Sequence, residues 1–179
     1  MILAEPAKKG TILTETKSGT TYKVTGSDPK KPEMEYKAPK NKKETKVVIP
    51  DTVTIDGVEY AVTSIAKNAF KNNKKLTKVK IGRNVKSIGE SAFSGCKKLS
   101  KVELDVNLTK IGKNAFRNCK RLKTITIKST KLNKKNVGKG AFKGISSKAV
   151  FKVPKSKLAA YRKLFRSKGL SKKARFKKY

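Results

Sequence analysis

IAKNAFKNNKKL (residues 65–76), IGESAFSGCKKL (88–99) and IGKNAFRNCKRL (111–122) are three versions of one dozen, set 23 residues apart. Ile65, Ile88 and Ile111 head the copies, Phe70, Phe93 and Phe116 follow five later, and Leu76, Leu99 and Leu122 close them. Beyond each leucine stands an alternating pair: Val79/Ile81, Val102/Leu104, Ile125/Ile127. A fixed period of this length marks stacked units that bury a shared core only as an array. A fourth copy, VGKGAFKGISSKAVFKVP from Val137, arrives after 26 residues, with the three extra residues placed in the loop around 129–135. Phe142, Phe151 and Val153 keep its register.

One unit can be read physically. The alternation in LTKVKIG is that of a short strand with one buried face. SAFSGC is too short for a free helix, and a single helical turn dropping Ala92 and Phe93 into the core is the expectation. Stacked units then form parallel ladders with strands ~4.8 Å apart.

Outward from the repeats, KVVIPDTV carries the same strand pattern, with Val47 and Ile49 in the places of Val79 and Ile81. Asp56-Gly57, between alternating apolar residues, predicts a two-residue hairpin turn. TILTETKSGTTYKVTG predicts a second hairpin turning at Ser18-Gly19. The Pro- and Lys-rich stretch after it reads as loop, with a strand near 35–38. Residues 1–10 are expected to be disordered, 11–64 to form a β-rich cap with a first half-repeat, and 65–154 to form the solenoid. Residues 155–179 are expected to hold a capping helix and a basic tail. In that helix Leu158, Tyr161, Leu164 and Phe165 share one face, Ser156 is the expected N-cap and Gly169 the stop. A last strand is expected through Ala174 and Phe176.

These residues resemble the BspA-like leucine-rich repeats of bacterial surface proteins, whose pattern is roughly IG..AF..C..L..V.I. The resemblance runs over about residues 44–165. It implies a right-handed α+β solenoid, here of about four 23-residue units with an N-terminal hairpin cap and a C-terminal amphipathic helix. It also implies a secreted or cell-surface protein that binds something and catalyses nothing, similar to adhesins. The chain departs from the family in its small number of units and in its lysine content.

The charge narrows the partners. Lys and Arg number 47 against 12 acids, for a net charge of +35. All 12 acids lie in residues 1–105, while residues 106–179 hold 25 cations and no acid. Such a field attracts polyanions. The cations also recur in place: Lys74/Lys75, Lys97/Lys98 and Lys120/Arg121 close successive copies, so stacking predicts two cationic columns. These six residues are the candidate site. The expected partner is an anionic polymer (teichoic acid, or a sulfated or acidic glycan) or a surface protein of host or bacterium, bound by a monomer. The other readings are a spacer or stalk whose lysines are plain solvated surface, and, less favoured, nucleic-acid binding. The phenylalanines that could stack on bases occupy core positions, although non-specific binding to nucleic acid in vitro is expected from charge alone.

Catalysis finds no support. The chain has no His, no nucleophile-elbow serine and no phosphate-binding glycine loop, and neither a cofactor nor a metal is expected. Glu103/Asp105 and Glu33/Glu35 read as solvated charges, a weak cation site at the first pair being the alternative. Cys96 and Cys119 stand three residues after their phenylalanines, where Asn73 stands in the first copy and Ile145 in the fourth. Inert buried thiols explain this best, with a disulfide between neighbouring rungs as the alternative. No apolar run approaches the ~20 residues of a membrane span, and the three-residue apolar start of MILAEPAKKG is far short of a signal peptide.

Overall fold

The computed structural model describes residues 3–179. The N-terminal cap begins with β1 (Ile12–Thr14) and β2 (Thr21–Gly26), an antiparallel pair whose turn is closed by Gly19 N–H donating to Glu15 O at 2.8 Å. β3 (Glu33–Ala38) joins β2 antiparallel and turns Met34 and Tyr36 inward beside Tyr22 and Val24. The segment ahead of β1, expected to be disordered, is fastened to this cap. Ala7 N–H donates to the Tyr60 hydroxyl at 2.9 Å, and Gly10 N–H to Val24 O at 2.8 Å.

β4 (Lys46–Ile49) leaves the cap and opens the second sheet. β5 (Thr52–Ile55) and β6 (Val58–Ile65) form the hairpin expected at Asp56-Gly57. Both turn residues have positive φ, 51° and 78°, the conformation a two-residue primed turn needs and Asp-Gly supplies.

The repeats follow as β7 (Lys78–Ile81), β8 (Ser87–Ile88), β9 (Lys101–Leu104), β10 (Lys110–Ile111) and β11 (Thr124–Ile127). β12 (Val150–Val153), α1 (Leu158–Ser167) and β13 (Arg175–Lys178) complete the chain. Strands β4, β7, β9, β11, β12 and β13 make one parallel sheet, in which Val47, Val79, Val102, Ile125, Phe151 and Phe176 stand in register. The other sheet runs from the cap through β6, β8 and β10. Both sheets drain into one continuous core. The array therefore has six strand rungs, two more than the period alone marks.

The SAFSGC segments are not helical turns. Each is a run of tight turns in which alternate N–H groups stay within the rung and the others cross to the next one. Ala92 N–H donates to Gly89 O, for example, while Phe93 N–H crosses to Ala115 O at 2.8 Å. The crossing is possible because every fourth residue is left-handed. Asn68, Ser91, Asn114 and Gly140 form one such column, and Asn72, Gly95, Asn118 and Gly144 the other. Only Gly, and Asn and similar short polar residues, visit that region readily. The glycine after the heading residue in the last three copies, where the first has Ala66, has a different cause. A Cβ on Gly112 would lie 2.6 Å from Glu90 N and 2.9 Å from Ile88 O, so the rungs close only over bare backbone.

Inside, Phe70, Phe93, Phe116 and Phe142 stack at 5.0–5.1 Å, within 5° of parallel. Tyr36 extends the ladder into the N-terminal cap at 5.4 Å, and Phe165 of α1 meets Phe142 edge-on at 5.2 Å. Tyr161, Leu164 and Phe165 are the buried face of α1. Ser156 does not cap it: that residue sits inside a 3-10 turn over Lys155–Lys157, and no side chain caps either segment. Gly169 ends the helix with φ 104°. No helix of the described residues is long and apolar enough to cross a membrane.

Candidate basic surface

The candidate cations lie in the turn that leads into the six-stranded sheet. In the first copy the Asn73 side chain shapes this turn, accepting from Lys75 N–H at 3.0 Å and Leu76 N–H at 3.1 Å. In the next two copies a thiol fills the same buried place and bonds the rung before it. Cys96 Sγ donates to Phe70 O at 3.1 Å and Cys119 Sγ to Phe93 O at 3.0 Å. The Cys96 thiol, and then burial, push the Cys119 thiol up. Both cysteines are buried and unbonded.

Between that buried residue and the buried leucine, two residues have no interior to enter. Lys74/Lys75, Lys97/Lys98 and Lys120/Arg121 occupy these places, and all six are exposed. Backbone bonds from rung to rung hold the turns in register, as where Ser100 N–H donates to Thr77 O at 2.8 Å and Lys123 N–H to Ser100 O at 3.0 Å.

The columns extend one rung beyond the sequence reading. The β4–β7 register sets Lys46 against Lys78, which places Lys42 and Lys43 at the positions of Lys74 and Lys75. The turn is rebuilt in miniature, with Asn41 Oδ1 accepting from Lys43 N–H at 2.9 Å. NKKETKVVI (41–49) against NKKLTKVKI (73–81) was the available signal, hidden by the hairpin inserted between the two rungs. Glu44 departs from the pattern in the place of Leu76. In the fourth copy the pair becomes Ser146/Ser147, and the columns end.

A third column runs beside them. Lys46, Lys78 and Lys101 are cross-strand neighbours on the exposed face of the sheet. The lysine before valine in TKV (45–47 and 77–79) and SKV (100–102) was its signal. Adjacent rungs ~4.8 Å apart repel by under ~1 kcal/mol per pair in water, so long, splaying side chains tolerate the arrangement. Among the described residues, the three ion pairs are Lys67–Glu90, Lys86–Glu33 and Lys128–Glu103, and none involves these columns.

The acidic pairs are engaged locally. Glu103 meets Lys128 Nζ at 2.9 Å and holds that ammonium above its usual range, while Asp105 accepts from Val106 N–H at 2.7 Å. Glu33 and Glu35 face Lys86 and Ser64. Among the described residues, no group of three or more His, Cys, Asp or Glu is placed to hold a metal ion.

Residues 34–171 match the BspA type leucine rich repeat region in six copies. The chain belongs to this leucine-rich repeat family. A leucine-rich repeat protein from Bacteroides capillosus is 29% identical with a TM-score of 0.59, over 75% of this chain and 96% of that one. A leucine-rich repeat protein from Bacteroides ovatus is 28% identical with a TM-score of 0.60, over 76% of this chain and 36% of that one. A leucine rich cell surface protein from Faecalibacterium prausnitzii shares the fold at 21% identity and a TM-score of 0.57, over 82% of this chain and 46% of that one. The chain thus spans less than half of the last two. No curated protein matches it.

Proposed function

We propose that this chain is a non-enzymatic binding module of a bacterial surface or secreted protein, and that its basic columns hold an anionic polymer of the wall or of a host glycan. The observation that carries this reading is the register of the columns. Four successive rungs each turn a cation pair outward, with no carboxylate among the described residues paired to any of the eight. An extended polyanion lying across the rungs meets a charge at every step and releases counterions as it binds, so affinity falls steeply with salt. The family supports a binding or structural scaffold, and the name of the F. prausnitzii relative supports the surface location. The buried phenylalanine ladder argues against nucleic acid as the native partner, because its rings cannot stack on bases.

The test is binding to teichoic acid, heparin, DNA and a neutral glycan in physiological salt, repeated with Lys97→Glu, Lys98→Glu, Lys120→Glu and Arg121→Glu combined. Loss confined to one polyanion supports a site. Equal loss for all of them reduces the surface to bulk charge. Absence of binding by the unmodified protein favours the spacer.

A further inference from the structure

A second cationic feature lies away from these columns, at the C-terminal end of the array. The turn segments of the third and fourth copies and the last turn of α1 enclose a cleft of about 510 Å³. Its charged lining is Lys113, Arg117, Lys139, Lys143, Arg166 and Lys168, with no carboxylate.

The six cations form a grid, and the backbone builds it. Lys113 and Arg117 come from one rung, Lys139 and Lys143 from the next, and Lys168 and Arg166 from the capping helix. Asn114 N–H donates to Lys139 O at 3.1 Å, Asn118 N–H to Lys143 O at 2.9 Å and Gly140 N–H to Lys168 O at 2.8 Å, fixing the three tiers one above another. Asn114 and Gly140 lie between the cations in the lining. Gly140 has φ 75°, and a Cβ there would overlap Asn114 Oδ1. Arg166 is held at the rim, its Nη2 donating to Lys172 O at 3.1 Å.

The same two columns look different earlier in the chain. There Glu90 and Ser94 take the equivalent places, and Lys67 pairs with Glu90 at 4.0 Å. The three tiers of the cleft carry no acid of their own, and residues 106–179 supply none; Glu90, one rung before Lys113, lies outside the lining. Six cations around one concavity, with no carboxylate among them, raise the local potential beyond that of a flat basic surface.

We infer that this cleft binds a compact polyvalent oxyanion, a cluster of phosphate or sulfate groups no larger than the cleft. The inference rests on the cleft and not on the columns, so either reading can fail alone. Two probes separate the possible chemistries: inorganic tripolyphosphate for phosphate and myo-inositol hexasulfate for sulfate. Each is titrated calorimetrically into the whole chain at about 0.15 M salt.

The expected result is saturable binding near one to one for at least one probe, and the stronger probe names the oxyanion. Lys113→Gln, Lys139→Gln and Lys143→Gln combined should weaken it by about tenfold or more, since three charge-assisted contacts are lost. Lys74→Gln, Lys97→Gln and Lys98→Gln combined remove the same charge from the columns and should change it by less than about threefold, because exposed charges at a distance are screened. None of these six side chains makes an ion pair among the described residues and all six are exposed, so both variants should keep the melting temperature of the unmodified chain to within a few degrees. Failure of both probes to saturate, or equal weakening by the two variants, overturns the site.

Discussion

The Tyr161 hydroxyl donates to the Ser129 carbonyl at 2.7 Å and accepts from the Leu132 N–H at 3.3 Å. Ser129 in turn donates its own hydroxyl to Leu108 O at 2.5 Å. The capping helix is thereby tied to the one loop in which the period lengthens from 23 to 26. Burial raises the tyrosine's pKa, which favours the neutral hydroxyl that donates this bond.

Tyr161→Phe keeps the ring and strands a buried carbonyl and a buried N–H, a loss of about 1–3 kcal/mol. In an array stabilised through nearest neighbours, that loss should appear first at the C-terminal end. Hydrogen exchange should show faster opening at Leu132 and across β13, with β7 and β9 unchanged. Uniform acceleration along all rungs would mean the helix cap is not a separable unit.

Gly112→Ala tests the closure of the rungs. The new methyl group would sit 2.6 Å from Glu90 N and 2.8 Å from Gly89 C. These are backbone atoms, which cannot swing aside, so the cost should reach or exceed the ~1–3 kcal/mol of ordinary overpacking. Lys113→Ala, one residue on and exposed, should stay within ~0.5 kcal/mol. Denaturant midpoints of the two variants give the comparison, and near-equal values would count against steric closure.

The core of this protein was legible because each unit repeats its apolar positions. Phe70, Phe93 and Phe116 announce a ladder, and the alternation in KVKI, KVEL and TITI announces a parallel sheet. The turn segments misled because Ala and Phe side by side suit a helical turn as well as a folded one. Asn68, Ser91, Asn114 and Gly140 carried the deciding information, since a left-handed residue at that spacing ends any helix. The columns were legible at six positions and missed at Lys42 and Lys43, where a hairpin interrupts the period. The C-terminal cleft was not legible at all. Arg166 and Lys168 belong to no repeat, and only the docking of α1 sets them above Lys139 and Lys143.

The thiols give a third prediction. Each is buried and donates to a carbonyl of the preceding rung, and reactivity needs an accessible thiolate. A thiol reagent should find neither Cys96 nor Cys119 in the native protein and both after denaturation. Finding none after denaturation would show that the two are joined.

Tyr36 predicts an alkaline limit. Burial pushes its hydroxyl up to about 12, against an ordinary value of 10.0. The unfolded chain therefore loses this proton first. The contribution is fully present below pH 10 and falls as pH rises toward 12, by about 1.4 kcal/mol per pH unit for this one group. The informative quantity is a difference between two proteins that share every other titrating group. Tyr36→Phe, which keeps the stack on Phe70, should show a shallower loss of stability between pH 10 and 12 than the unmodified protein. Parallel profiles would place the alkaline limit elsewhere.

Charge supplies the last prediction, because it sets stability against binding. A net charge of +35 repels itself, and exposed pairs are screened over ~8–10 Å at ordinary ionic strength. Added salt should therefore raise the melting temperature while weakening any polyanion complex. Lys98→Glu and Lys120→Glu should each stabilise the free protein at low salt, by a fraction of the ~1 kcal/mol carried by each like-charge pair. Both should weaken teichoic acid or heparin binding. A surface whose lysines served only solubility would show the first effect without the second. Thermal melts and polyanion titrations of the same two variants, at low and physiological salt, separate these cases. Unchanged affinity alongside a raised melting temperature would leave the columns with no binding role.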